Sequence, residues 1–227
     1  MDKIIDKIRK LMALAGSPNE HEALLAMEKA QALIAEHKIA MHEVMKEQGP
    51  TASNDPGAKI DQVVLTVTRG AKRLIWWRWI VIDALCKSLN CKPTIHKGIG
   101  FKALGRLNDL VMLDEMLTWI CVQVERLAKE SGFAGKDGQD SFKKGCARTI
   151  AERLTANLKQ IETTNEQYGA LMVIENALVE AEFVKRYPKM TTYKGGKGGV
   201  SSGRAYKSGK IAGNNVSLTA GKKLTHG

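Results

Sequence analysis

Along most of this chain apolar residues recur at the spacing of helix faces, broken near the middle by shorter alternating runs. Ile4, Ile8, Leu11 and Ala15 stand at i, i+4, i+7 and i+11 with Ile5 and Met12 beside them, which predicts a helix over about 2–15 with one apolar stripe. Gly16 ends it. Ser17-Pro18-Asn19-Glu20 then reads as a helix start. Ser17 caps free amides, Pro18 takes a first-turn position where no N–H is needed, and Glu20 reaches back. The second helix carries Ala23, Met27, Ala30 and Ile34 on one face and runs to about His37, and its alanines predict a close approach to the first. Ile39 to Met45 predicts a short third helix over the open end of this hairpin.

From Gln48 to Ala58 the sequence QGPTASNDPGA has the composition of a linker. Val63, Leu65 and Val67 alternate with Gln62, Val64 and Thr66, predicting a strand over about 61–68, and a helix is expected from about 71 to 89. Lys92–Lys97 and Ile99–Leu104 pattern as two strands joined at Gly98, with Gly105 closing the hairpin. Two long amphipathic helices follow, at about 107–130 and 141–163, separated by SGFAGKDGQD read as a loop, with Asp140-Ser141 starting the second helix. Ala170–Ile174 suggests one more strand, and Glu175–Tyr187 a last helix that Pro188 stops. Beyond it the chain is rich in Gly, Ser, Lys and Thr, so it is expected to be mobile. The fold class predicted is therefore α+β and predominantly helical. It divides into a helical hairpin module (1–46), a linker (47–59), a small-sheet-plus-helices domain (60–188) and a flexible basic Gly/Ser-rich tail (189–227).

Composition changes this picture chiefly through charge. A chain of 227 residues with 44% hydrophobic and 26% charged residues is globular and long enough for a sizeable core. Ten of its 35 bases and none of its 24 acids follow Glu182, which leaves 25 bases against 24 acids before that point. Almost the whole net charge of +11 thus belongs to the tail. No uninterrupted apolar run marks a signal peptide or a membrane span, because Arg78 and Asp83 break the most apolar stretch. Cys86, Cys91, Cys121 and Cys146 contain no C-x-x-C pair and read as reduced thiols, so a cytoplasmic setting is expected.

The run KIRKLMALAGSPNEHEALLAMEKAQALIAEHKIAMHEV, Lys7 to Val44, resembles the N-terminal module of domain-of-unknown-function family 2786, found in bacterial and phage proteins. Downstream, WWRWIVIDALCKSLNCK, FKALGRLNDLVMLDEML and DSFKKGCARTIAERL are similar to the companion domain of that module, and Tyr206-x-x-Gly209-x-x-x-Gly213 is similar to its tail. Lys38 stands where the family often has glycine. The resemblance implies an architecture and a prokaryotic or phage setting, and it implies no activity.

Few residues carry candidate chemistry. His21-Glu22 begins like a zinc-protease helix, but Leu25 stands where the second histidine is required. His37 and His42 suit helix ends. Cys86, Cys91 and His96 lack a diagnostic metal spacing and read as core thiols and a strand residue, so no metal, cofactor or catalytic residue is assigned. Trp76, Trp77 and Trp79 with Arg78 cannot all share one helical face, so at least one ring is expected to be partly exposed. Trp77 and Arg78 are candidates for stacking on bases and pairing with phosphates, against the alternative that the tryptophans fill core volume. Gly105, Arg106 and Asp109 fall where a strand hands over to a helix, a place able to bind an anion; the plainer version is a turn glycine, a cap and a surface pair.

The tail has no nucleotide-binding glycine motif. Its spaced bases Lys185, Arg186, Lys189, Lys194, Lys197, Arg204, Lys207, Lys210, Lys222 and Lys223, with Tyr206 for stacking, suit a flexible polycation tracking phosphates. Three functions are ranked on this basis. A non-catalytic accessory protein binding DNA or RNA comes first. A protein-binding adaptor or inhibitor, presenting a hairpin face at Leu24, Leu25 and Glu28, comes second. An enzyme using Arg106 and Asp109 comes third.

Overall fold

The computed structural model describes residues 7, 10, 11, 33, 59–70, 75–96, 98–164, 166–190 and 198–216. Of the predicted hairpin module, Lys7, Lys10, Leu11 and Leu33 fall among these. All four are helical, the two lysines are exposed, and the two leucines are half-buried against the main core. The rest of the module and the linker through residue 58 lie outside the described residues.

The chain forms an α+β fold, mostly helical, with one three-stranded antiparallel sheet of order β1-β3-β2. The strands are β1 (Ile60–Val64), β2 (Lys92–His96) and β3 (Gly100–Arg106). Strand β1 stops short of the expected Thr68 because its hydroxyl residues find other partners. Asp114 accepts from the Thr66 N–H at 2.7 Å and from its hydroxyl at 2.6 Å, and the Thr68 hydroxyl donates to the Leu65 carbonyl at 2.9 Å. These bonds favour a 3-10 turn over Thr66–Thr68. The β2–β3 hairpin is as predicted, and Gly100 is obligatory in it: φ is +119° and a Cβ there would stand 2.3 Å from the Thr68 carbonyl oxygen. Gly105 does not close the hairpin. It lies inside β3 opposite Asp61, where a Cβ would meet the Cys91 sulfur at 2.7 Å.

Helices α1 (Trp76–Ser88) and α2 (Leu107–Glu130) match the expected helical runs; residues 71–74, expected in the first, lie outside the described residues. Helix α3 (Gly135–Thr164) begins earlier than the expected Asp140-Ser141 start. Gly135 turns the chain with φ +75°, and the Gln139 amide donates to the carbonyls of Ala128 (2.8 Å) and Phe133 (2.7 Å), bracing the first turn against the end of α2. Helix α4 (Glu166–Arg186) absorbs the segment 170–174 expected as a strand. Leu171 and Met172 are buried while Val173 and Ile174 are exposed, a two-in, two-out pattern that belongs to a helix.

The pleat sorts the sheet into two faces. Val63, Ile95, Phe101 and Ala103 enter the main core with the inner residues of α1, α2 and α3, among them Val81, Leu113, Ile120 and Ile150. The opposite face carries Gln62, Thr94, Leu104 and Arg106 and is covered by α4. Polar links hold that cover: Arg106 pairs through two nitrogens with Glu175, Lys92 pairs with Glu180 at 2.5 Å, and the Gln62 amide donates to the Tyr187 hydroxyl.

The segment after α4 departs most from expectation. Residues 203–214 form helix α5 (Gly203–Asn214), capped by Ser202, whose hydroxyl accepts from the Ala205 N–H, and packed along α3 in the most extensive contact between two elements among the described residues. The expected mobile tail is therefore corrected over 198–216. Ala205, Gly209 and Gly213 recur every four residues on the buried face. A Cβ on Gly209 would stand 2.0 Å from the Phe142 carbonyl oxygen, one on Gly213 2.7 Å from that of Cys146, and one on Gly145 of α3 2.1 Å from that of Tyr206. Glycines that weaken an isolated helix here let two backbones touch, and the contact outweighs the propensity cost of about 1 kcal/mol each. Arg153 donates to the carbonyls of Gly213 (2.8 Å) and Val216 at the far end, and Lys144 to that of Gly199 (2.7 Å) at the near end.

Candidate nucleic-acid interface

The folded environment divides the predicted contact residues. Trp77 is 2% exposed and part of the core, which leaves it no face for a base. Arg78 is half-buried; it lies 5.3 Å over the Trp77 ring, donates to the Val67 carbonyl at 2.7 Å and pairs with Glu125 at 3.7 Å. Trp79 stacks on Phe101 with ring centroids 5.3 Å apart, and Gly198 is seated so close to Trp76 that a Cβ would stand 2.6 Å from its indole. The tryptophans thus serve as core and as the seat of the chain leading into α5. As helical spacing requires, Trp76 and Trp79 retain partial exposure.

The bases after Glu182 are just as diverse. Arg186 is tied down by Glu182 (2.6 Å), Asp61 (3.8 Å) and the Ile60 carbonyl (3.0 Å), and its hydrogen bond holds the Glu182 carboxyl below the usual range. Lys185 and Lys189 are exposed. Lys194, Lys197, Lys222 and Lys223 lie outside the described residues. Arg204 and Lys207 project from the outer face of α5 and form no ion pair with a described residue, while Lys210 pairs with Glu152 of α3 at 3.6 Å. Arg148, also of α3, reaches the same Glu152 at 3.6 Å. Arg148 of α3 and Lys210 of α5 therefore share Glu152, and Arg204 and Lys207 lie exposed on the outer side of α5. Tyr206 is half-buried beside them, its carbonyl pressed on Gly145. Reading the tail by composition missed Arg148; its exposed position four residues from Glu152 on an amphipathic helix was the available signal.

At the strand-to-helix handover, β3 ends on Arg106 and α2 begins at Leu107, as the spacing suggested. The anion pocket is not what results. Glu175 occupies the guanidinium with both carboxylate oxygens, the pair being 17% and 13% exposed, and Gly105 is a strand residue whose missing side chain makes room for Cys91. Asp109 is buried in the first turn of α2.

None of the four cysteines is in a disulfide, and all four are buried. Burial pushes the thiols of Cys121 and Cys146 up to about 12 and that of Cys86 higher still, so none of these three is a nucleophile at neutral pH. His96 is shifted down from 6.5 by burial and by Lys102, and its Nε2 lies 3.0 Å from the Thr94 hydroxyl. Among the described residues no group of three or more His, Cys, Asp or Glu side chains is placed to hold a metal ion. No described helix is long and apolar enough to cross a membrane.

Residues 3–41 match the model of a family described as "Protein of unknown function (DUF2786)", and over that stretch the chain is similar to its members. None of the curated proteins matches the chain, and none of the solved structures does.

Proposed function

We propose that the protein binds nucleic acid, as a non-catalytic accessory protein of a bacterium or phage, through the outer face of α3 and α5. The observation that carries this reading is the set of bases fixed on two packed helices, Arg148 and Lys210 sharing Glu152 while Arg204 and Lys207 lie exposed on the outer side of α5. Bases held on a rigid helix lose little entropy on meeting phosphates, and each phosphate neutralised releases a counterion. The bases on either side of α5, Lys189, Lys194, Lys197, Lys222 and Lys223, add sequence-independent attraction. Similarity of the rest of the chain to the companion domain of the family belongs to the same proposal.

The test is binding of labelled single- and double-stranded DNA and RNA across a salt series. Removing the whole tail is a poor probe, because α5 covers the surface of α3 around Phe142 and Cys146. The double variant Arg204→Gln/Lys207→Gln leaves that packing intact. Loss of two phosphate contacts should reduce the slope of log K against log salt by about 1.4–1.8. An unchanged slope, or no binding by the wild type at low salt, refutes the proposal. A protein partner is the second reading. What favours it is the apolar outer row of α4, since Leu24, Leu25 and Glu28 of the hairpin lie outside the described residues.

A further inference from the structure

Bases from α3 and α5 meet at Glu152 without touching it. Arg148 Nε stands 3.6 Å from one of its carboxylate oxygens and Lys210 Nζ 3.6 Å from the other, and the Arg148, Lys210 and Glu152 side chains are 58%, 44% and 55% exposed. A charge-assisted hydrogen bond closes to about 2.7–2.9 Å, so neither base is in contact. Glu125 shows the contrast. It too receives two bases, Arg78 and Lys143, but Lys143 reaches it at 2.5 Å and none of these three side chains is more than 34% exposed. Helical spacing accounts for Arg148, four residues before Glu152, whereas Lys210 comes from α5 and is held there by backbone packing. Its amide nitrogen lies over Gly145, where a Cβ would come within 3.0 Å, and one turn on a Cβ at Gly213 would stand 2.7 Å from the Cys146 carbonyl oxygen. The two helices therefore fix the attachment points of both bases before any ligand arrives.

We propose that Arg148 and Lys210 form a phosphate clamp between α3 and α5, and that Glu152 stands in it as a tethered substitute for the phosphate. A phosphodiester matches the carboxylate in offering two oxygens that share one negative charge, so one oxygen can face each base. It differs in being free of the α3 backbone, and can close on both bases at once where the carboxylate reaches neither. Glu152 gives way readily, since pairs this exposed contribute little. Until it does, its charge repels the phosphate and offsets one of the two bases. Binding is thereby weaker than the bases alone would give, most of all at low salt, where exposed charges are least screened. That the phosphate belongs to a nucleic acid rests on the function proposed above; the clamp rests on the packing of the two helices.

Glu152→Gln and Glu130→Gln test it together. Each removes an acid that is 55% exposed and paired with an arginine four residues before it, but Glu130 lies on α2 with Arg126. A labelled DNA or RNA oligonucleotide, whichever the wild type binds, should bind Glu152→Gln about fivefold more tightly at low salt. Glu130→Gln should gain less than about twofold, because its charge acts only at a distance. In an Arg148→Gln/Lys210→Gln background the Glu152 exchange should give no more than the Glu130 exchange does. Circular dichroism checks that each variant folds. Inorganic phosphate supplies a readout without nucleic acid: titrated into isotope-labelled protein, it should shift the Arg148 Nε–H resonance further in Glu152→Gln than in the wild type. If no oligonucleotide binds either protein while phosphate still shifts Arg148 in this way, the nucleic-acid reading falls and the clamp stands. A phosphate response equal in the two proteins overturns the clamp. So does oligonucleotide binding that Glu152→Gln tightens no more than Glu130→Gln, or a gain that survives the loss of Arg148 and Lys210.

Discussion

Replacing Gly209 by alanine probes the feature that most reshapes the C-terminal region. The added Cβ would stand 2.0 Å from the Phe142 carbonyl oxygen and 3.1 Å from the Cys146 nitrogen. Ordinary contact needs about 3.5 Å, so α5 must retreat from α3 by more than about 1 Å. Backbone atoms cannot rotate away, which puts the cost near the upper end of the overpacking range of about 1–3 kcal/mol. Against it stands the alanine's gain in helix propensity of about 1 kcal/mol. The net expectation is a loss of about 1–2 kcal/mol, or a fall in Tm of roughly 2–8 °C for a protein of this size. Gly203→Ala is the matched control, since nothing lies within 4 Å of its Cβ position; it should be neutral or slightly stabilising. Urea unfolding followed by tryptophan fluorescence suits the comparison, because Trp76 touches Gly198 at the start of this segment. A Gly209→Ala midpoint at or above that of the wild type, or equal losses in the two variants, would refute close backbone packing as the reason for these glycines.

Glu175→Ala should cost about 2–3 kcal/mol by removing both carboxylate oxygens from the half-buried Arg106 guanidinium, while leaving nucleic-acid affinity unchanged; reduced affinity with unaltered stability would instead make Arg106 a ligand residue. In the native protein the four cysteines should resist iodoacetamide at pH 8 and all react once urea is added, as counted by mass spectrometry; a thiol labelled before unfolding contradicts its burial. Because the His96 pKa is lower in the folded chain than in the unfolded one, the unfolded state binds more protons just below pH 6.5. Stability should therefore fall as pH drops through that range, and His96→Gln should flatten the decline in urea midpoints measured from pH 7 to 5. An identical pH dependence in the two proteins removes His96 as its source.

The sequence by itself determined the elements whose pattern and punctuation agree. In α2 the apolar spacing from Leu107 to Glu130 gave both ends of the helix, and in the β2–β3 hairpin Gly98 marked the turn. The crowded tryptophans already required a partly exposed ring, and the charge count already located the excess of bases after Glu182. Tertiary structure decided the places where a local signal has two physical meanings. Val173-Ile174 reads as strand by propensity, but burial of Leu171, Met172 and Val179 against the sheet makes it helix. Arg106 at a strand end can clamp an anion, until a helix more than sixty residues later delivers Glu175 to it. Gly209 and Gly213 signify flexibility when counted by composition and contact when counted by helical position, and only the backbone of α3 selects between them. Composition and periodicity report what a segment does alone. The partner that settles the choice comes from a distant part of the chain, and short-range pattern holds no information about which part that is.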